Sequence, residues 1–189
     1  VSEQRTRWGW HHLSNEWAAA LVADAGIEPG HLVLDVGAGR GALTAPLLDR
    51  GARVVAVEMH PGRAAYLRAR FASGVTVVRA DGADLRLPTR PFRVVANPPF
   101  AITTALLRRL VAPGSRLVRA DVIVPWHTAR RWTTGQPPGA ARWRTTYAAR
   151  LGRPIPRSAF TPPAPNGVAI LVIERRPSER PRGRLPRPV

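Results

Sequence analysis

The chain has 189 residues, enough for about one domain with a sizeable core, and no cysteine, which excludes disulfides and thiolate metal sites. Its formal net charge is +17 and its pI about 12.0, a balance that points to a nucleic-acid partner, and no stretch has the apolar length needed to cross a membrane. The charge is uneven: residues 1–100 carry 12 arginines against 9 acidic residues, whereas residues 101–189 carry 17 against 3.

In chain order, Val1 to Leu13 is polar and aromatic rather than the apolar core of a signal peptide, so a cytoplasmic protein is expected. A helix is predicted from about Asn15 to Ala25, stopped at Gly26. The run His31-Leu32-Val33-Leu34-Asp35-Val36 reads as a buried strand, and Gly37-Ala38-Gly39-Arg40-Gly41-Ala42-Leu43-Thr44 turns from it into a helix that Gly51 ends. Gly37, Gly39 and Gly41 alternate, which suits close approach of backbone to a ligand. Their G-x-G-x-G spacing departs from the G-x-G-x-x-G dinucleotide fingerprint and fits S-adenosylmethionine better than NAD.

The next strand, Arg53 to Val57, ends in Glu58, whose carboxylate can bond both hydroxyls of a ribose; a helix begins at Pro61. Asp81 follows a third apolar run, Val75 to Val78. Singly these are ordinary turns and strand-end charges. In this order, at the carboxyl ends of successive parallel strands, they share one crevice.

A fourth strand, Phe92 to Ala96, delivers Asn97-Pro98-Pro99-Phe100. An adenine amino nitrogen is a poor nucleophile because its lone pair is delocalised into the ring, so both of its hydrogens must be held. The side-chain oxygen of Asn97 and the carbonyl of Pro98 can accept them, and Phe100 offers a stacking face worth about 1–3 kcal/mol per base. The bland alternative is a stiff turn with Phe100 in the core.

A helix after Phe100 should stop by Pro113, and Leu117 to Val124 is a fifth strand. Trp126, Trp132 and Trp143 lie among arginines and either stack on unpaired bases or pack internally. Gly135 to Gly139 reads as a loop, and Trp143 to Arg150 with Val168 to Glu174 as a closing antiparallel pair. Pro177 to Val189 is a Pro/Arg-rich tail with too little apolar surface to fold alone, so residues 1–176 form the domain. The histidines show no ligand spacing with carboxylates, and no catalytic metal is expected.

The order Asp35-Val36-Gly37-Ala38-Gly39, Glu58, Asp81, Asn97-Pro98-Pro99-Phe100 and Phe160-Thr161-Pro162-Pro163 closely resembles the ribosomal RNA adenine-N6 methyltransferases, from Trp8 to Arg176. These include the Erm-type macrolide-resistance enzymes and the dimethyladenosine transferases of small-subunit rRNA. The resemblance implies an α/β, Rossmann-like class I methyltransferase with a doubly wound, mostly parallel seven-stranded sheet, in keeping with the strand–helix alternation and the closing pair. It implies S-adenosylmethionine as cofactor, with Gly37, Gly39 and Gly41 as its loop, Glu58 on its ribose, and Asp81 with backbone of Gly82 at its adenine. It makes Asn97, Pro98 and Phe100 the target-base site, with Asn97 also among the cofactor-binding residues, and Phe160 on the other side of the base or, alternatively, simply covering the sheet edge. The expected substrate is 23S rRNA at the peptidyl-transferase region, the expected consequence macrolide resistance, and the expected state a monomer.

Two positions depart from the family pattern. Where it carries Gln-Asn-Phe against the methionine part of the cofactor, this chain has Trp10-His11-His12-Leu13, which places His11 and Leu13 among the cofactor candidates and leaves His11 against His12 open. Where it carries Gln-Arg after the fifth strand, this chain has Trp126-His127 with Arg130 and Arg131 further on. The short chain leaves no room for the helical C-terminal domain of longer relatives. The rivals are protein-glutamine or DNA adenine methylation, which share Asn-Pro-Pro-aromatic, small-subunit rRNA dimethylation, and a noncatalytic rRNA-binding assembly factor.

Overall fold

Short β-branched runs alternate with amphipathic stretches along this chain; the central run Leu32–Val36 is buried on both faces, whereas the edge run Val75–Val78 alternates between half-buried and exposed residues. The computed structural model of the protein describes residues 11–134, 139–164 and 167–177. The Trp8-Gly9-Trp10 lead-in, most of the Gly135–Gly139 loop and the tail beyond Pro177 lie outside them.

A two-residue strand, β1 (His12–Leu13), precedes α1 (Asn15–Asp24), whose first turn is capped by the Ser14 hydroxyl accepting from Trp17 N–H. Then come β2 (Leu32–Val36), α2 (Thr44–Asp49), β3 (Arg53–Val57), α3 (Pro61–Phe71), β4 (Val75–Val78), β5 (Phe92–Ala96) and α4 (Thr103–Leu110). The chain continues through β6 (Leu117–Pro125), α5 (Trp126–Thr133), α6 (Ala140–Trp143), β7 (Tyr147–Leu151), β8 (Phe160–Thr161) and β9 (Val168–Arg175). Pro61 stands at the first position of α3, where its missing N–H costs nothing.

The seven-stranded sheet has the order β4-β3-β2-β5-β6-β9-β7, parallel from β4 to β6 and antiparallel at β9 and β7. This is the expected doubly wound α/β sheet. Strand order reverses between β2 and β5, so the crevice where ligands bind opens between their carboxyl ends. One apolar layer sets Leu106, Leu107 and Leu110 of α4 against the sheet, and the other holds α1 with Leu13 and Phe160. The closing pair differs from expectation at one end: Trp143 finishes α6 and stacks in the core on Trp132, and the strand starts only at Tyr147.

A buried ionic fork fixes the far end of β6. Arg119 donates to both oxygens of Asp121 (2.7 and 2.8 Å), to Glu174 of β9 (2.8 Å) and to the Asp24 carbonyl (2.8 Å). Burial pushes the Asp121 carboxyl up, and the Arg119 guanidinium opposes that rise. Breaking such a pair leaves a buried charge uncompensated. Arg119→Met should therefore cost about 3–5 kcal/mol in urea denaturation, while Arg119→Met with Asp121→Leu should recover most of the loss. A single variant as stable as the parent would contradict this role.

Candidate active site

The end of β2 and the end of β5 meet so closely that a side chain between them would be crowded. Gly37 has φ +77°, and a Cβ there would lie 3.1 Å from Pro98 Cα and 3.2 Å from Pro99 Cδ. The glycine loop thus rests directly on the Asn-Pro-Pro turn. The loop's amides are mostly engaged already: Gly37 and Ala38 donate to the Val57 carbonyl, and Gly39 donates to Glu58 Oε2 at 2.9 Å. Glycine serves here by letting backbone come close, more than by presenting free donors.

Beside this contact lies a pocket of ≈ 320 Å³ of empty space, open to solvent, bordered among others by His11, Leu13, Asp35, Gly37, Gly39 and Asn97. The structure therefore gathers six of the expected site positions and motif residues at one crevice. Glu58 joins it through Gly39, and its other oxygen accepts from His60 N–H (2.8 Å) and Arg63 Nη2 (3.0 Å). Asp81 lies beyond β4, with Oδ1 accepting from Ala83 N–H, and Gly82 is packed so closely that a Cβ would meet Val36 Cγ1 at 2.6 Å.

Gly41 and Phe160 are packed against apolar side chains, Phe160 in the second of its two expected arrangements. A Cβ on Gly41 would meet the Phe71 ring of α3 at 2.5 Å, so this glycine seats the loop on a helix and does not border the pocket. Phe160 is 2 % exposed and packs in the core with Leu13, its partner across the β1–β8 ribbon. Its ring covers the sheet in this arrangement and offers no open stacking face, because the apolar layer around α1 has absorbed it.

Asn97 is oriented by the chain itself. Its Nδ2 donates to the His11 carbonyl at 2.9 Å, leaving the side-chain oxygen as its acceptor. The His11 ring stacks on Phe100 (5.7 Å between centroids, 24°), and its Nδ1 lies 3.1 Å from the Pro162 carbonyl. His11 thus ties together the N-terminal segment, the Asn-Pro-Pro-Phe turn and the Thr-Pro-Pro segment. In that turn the Pro99 carbonyl accepts from Ile102 N–H, which leaves the Pro98 carbonyl as the second acceptor candidate. The part played by the His11 backbone has no signal in the sequence, since it depends on β1 pairing with β8 across most of the chain.

Asp35, part of the motif but given no role by the sequence alone, is the buried charge of the site. It is 1 % exposed, with Oδ2 accepting from Thr44 Oγ1 at 2.7 Å and Oδ1 without a hydrogen-bond partner. Burial above all pushes its carboxyl from 3.8 up to about 7; the Glu58 charge adds to the rise and the Thr44 hydroxyl opposes it. A group raised this way stabilises the fold fully below the unfolded value of 3.8, and that contribution is lost as pH rises through about 7. The melting temperature of the parent chain should fall between pH 5 and pH 8 more than that of Asp35→Asn, as followed by circular dichroism. Parallel profiles for the two chains would contradict this.

The Asp35 oxygen without a partner matches a cationic ligand group, Glu58 Oε2, which accepts from Gly39, has capacity for one ribose hydroxyl, and the glycine cradle admits close backbone contact. These residues fit S-adenosylmethionine, which carries all three features. Among the described residues, no group of His, Cys, Asp and Glu is placed to hold a metal ion, and no helix is long and apolar enough to cross a membrane.

The chain is also similar to known proteins. The family described as ribosomal RNA adenine dimethylase matches residues 1–181. The mycinamicin-resistance protein MyrB of Micromonospora griseorubida is 40% identical over 153 residues, 77% of this chain and 47% of that protein. The ribosomal RNA small subunit methyltransferase A of Synechococcus sp. (strain RCC307) is 36% identical over 194 residues, 93% of this chain and 71% of that protein. The chain thus spans between about half and seven-tenths of these relatives' lengths. The crystal structure of the 23S rRNA methyltransferase ErmE superposes with a TM-score of 0.75 at 26% identity, covering 86% of this chain and 68% of that one. By its motifs, its sheet and these matches, the chain belongs to the ribosomal RNA adenine dimethylase family of S-adenosylmethionine-dependent rRNA adenine methyltransferases.

Proposed function

We propose that this protein methylates N6 of an adenine in 23S rRNA at the peptidyl-transferase region, as a cytoplasmic monomer, and so protects the ribosome against macrolide-type antibiotics. The observation that carries the reading is the Asn97 amide, pinned through its nitrogen to the His11 carbonyl with its oxygen left to accept, beside the glycine loop. S-adenosylmethionine supplies an activated methyl group on a sulfonium. The chain's own residues position the acceptor: Asn97 Oδ1 and the Pro98 carbonyl take the two amino hydrogens and Phe100 stacks on the base. Neither acceptor is a strong base, so the acceleration rests on orientation and electrostatics. Asp35 and Glu58 hold the cationic and ribose parts of the cofactor, with Asp81 and Gly82 at its adenine.

The large-subunit target is supported by the similarity to the 23S rRNA methyltransferase ErmE, and the resistance role by the similarity to the mycinamicin-resistance protein MyrB. A second reading, dimethylation of small-subunit rRNA, is favoured by the Synechococcus relative, which aligns with 93% of this chain. Transfer of labelled methyl groups to protein-free 23S rRNA, 16S rRNA and duplex DNA, with primer extension to map the nucleotide, separates the two. The expected result is one modified 23S adenine, lost at least a hundredfold in turnover by Asn97→Ala with cofactor affinity within about threefold. Label confined to 16S rRNA would transfer the protein to the small-subunit reading.

A further inference from the structure

Three tryptophans among arginines are equivalent in the sequence, and the structure separates them. Trp132 and Trp143 are 3 % and 5 % exposed and stack on each other at 5.0 Å, so neither is open to a ligand. Trp126 is 49 % exposed, the first residue of α5 where β6 leaves the sheet.

Its position follows from the strand register. Ala96 of β5 lies opposite Val122 of parallel β6, so Trp126 stands three residues past the level of Asn97, about 10 Å further along the neighbouring strand at the same carboxyl edge. Its backbone is fixed: Trp126 N–H donates to the Gly167 carbonyl at 2.9 Å, and Pro125 pairs with Val168. Helix α5 buries Thr128, Ala129 and Trp132, so Trp126, His127, Arg130 and Arg131 share the outer face. Trp126 and Arg130, four residues apart, are neighbours on that face. An indole held on a rigid strand end, half exposed and flanked by cationic side chains, contributes little packing here. It has the composition of a site that takes a base on its face and a phosphate beside it.

We propose that Trp126 is a stacking platform for an unpaired nucleotide flanking the target adenine, with Arg130 on the adjoining phosphate. The proposal rests on the rRNA reading above and adds a contact outside the methyl-transfer site. The occupant is single-stranded RNA because a duplex keeps its base faces stacked, and because the half of the chain from residue 101 carries 17 arginines against 3 acidic residues, which suits a polyanion better than an apolar protein surface.

The test uses the full chain with Trp126→Ala and Trp126→Phe. Fluorescence anisotropy would follow a labelled single-stranded oligoribonucleotide and a blunt RNA duplex of equal length, and methyl transfer to 23S rRNA would be measured alongside. Trp126→Ala should weaken single-strand binding about tenfold and raise KM for RNA similarly, with kcat within twofold, duplex binding nearly unchanged and the melting temperature retained. Trp126→Phe should restore most of the affinity. Equal single-strand binding by Trp126→Ala and the parent, or an equal loss on duplex, overturns the proposal. So does a concentration-dependent dimer of the parent that Trp126→Ala dissolves, which would assign this face to a second copy. If the parent methylates no rRNA while the single-strand effect of Trp126→Ala persists, the stacking site stands and the methylation reading falls.

Discussion

The contact between Gly37 and the Asn97-Pro98-Pro99 turn is the constraint on which the site depends. Two strand ends meet at the point where the sheet order reverses, and at 3.1 Å from Pro98 Cα an added Cβ would be crowded on a backbone already at φ +77°. That approach sets the glycine loop, which borders the pocket, against Asn97, whose oxygen is left to accept a target hydrogen. Val57 and Glu58 accept from the loop amides, and the Gly39–Glu58 hydrogen bond makes the second strand end part of the same unit.

A second device closes the site from the other side. The short β1–β8 ribbon brings the N-terminal segment against the Thr161-Pro162 segment, although the two lie at opposite ends of the domain in sequence. From that ribbon His11 reaches Asn97 with its carbonyl and Phe100 with its ring, so one residue orients the amide and covers the aromatic face. In this arrangement an incoming base must share or displace the His11 ring to reach Phe100. The Phe160 side chain, one strand position away from Thr161, is spent on core packing.

Much of this was legible in the chain because it is local. Strand runs, glycine spacing, the helix start at Pro61 and the order Gly37, Glu58, Asp81, Asn97 each express a nearest-neighbour rule and together imply the sheet. What could not be read depends on pairing at long sequence separation: the His11 carbonyl on Asn97, the burial of Phe160, the seat of Gly41 on Phe71, and the late start of β7 after the Trp132–Trp143 stack. Charge was legible in total but not in use. Arg119, Arg153 and Arg175 are turned onto acidic side chains, carbonyls or Tyr147, so part of the basic second half stabilises the fold instead of facing a polyanion. Arg130, exposed on the outer face of α5, is placed otherwise, about one helical turn from Trp126.

If the glycine contact builds the S-adenosylmethionine site at the switch point, a Cβ at residue 37 must weaken cofactor binding. Calorimetric titration of S-adenosylmethionine into the parent chain and into Gly37→Ala tests it most directly. One site is expected in the parent and at least about tenfold weaker binding in the variant with its circular dichroism spectrum retained, since a Cβ at positive φ pushes the loop from the turn. Equal affinity in the two chains would contradict it.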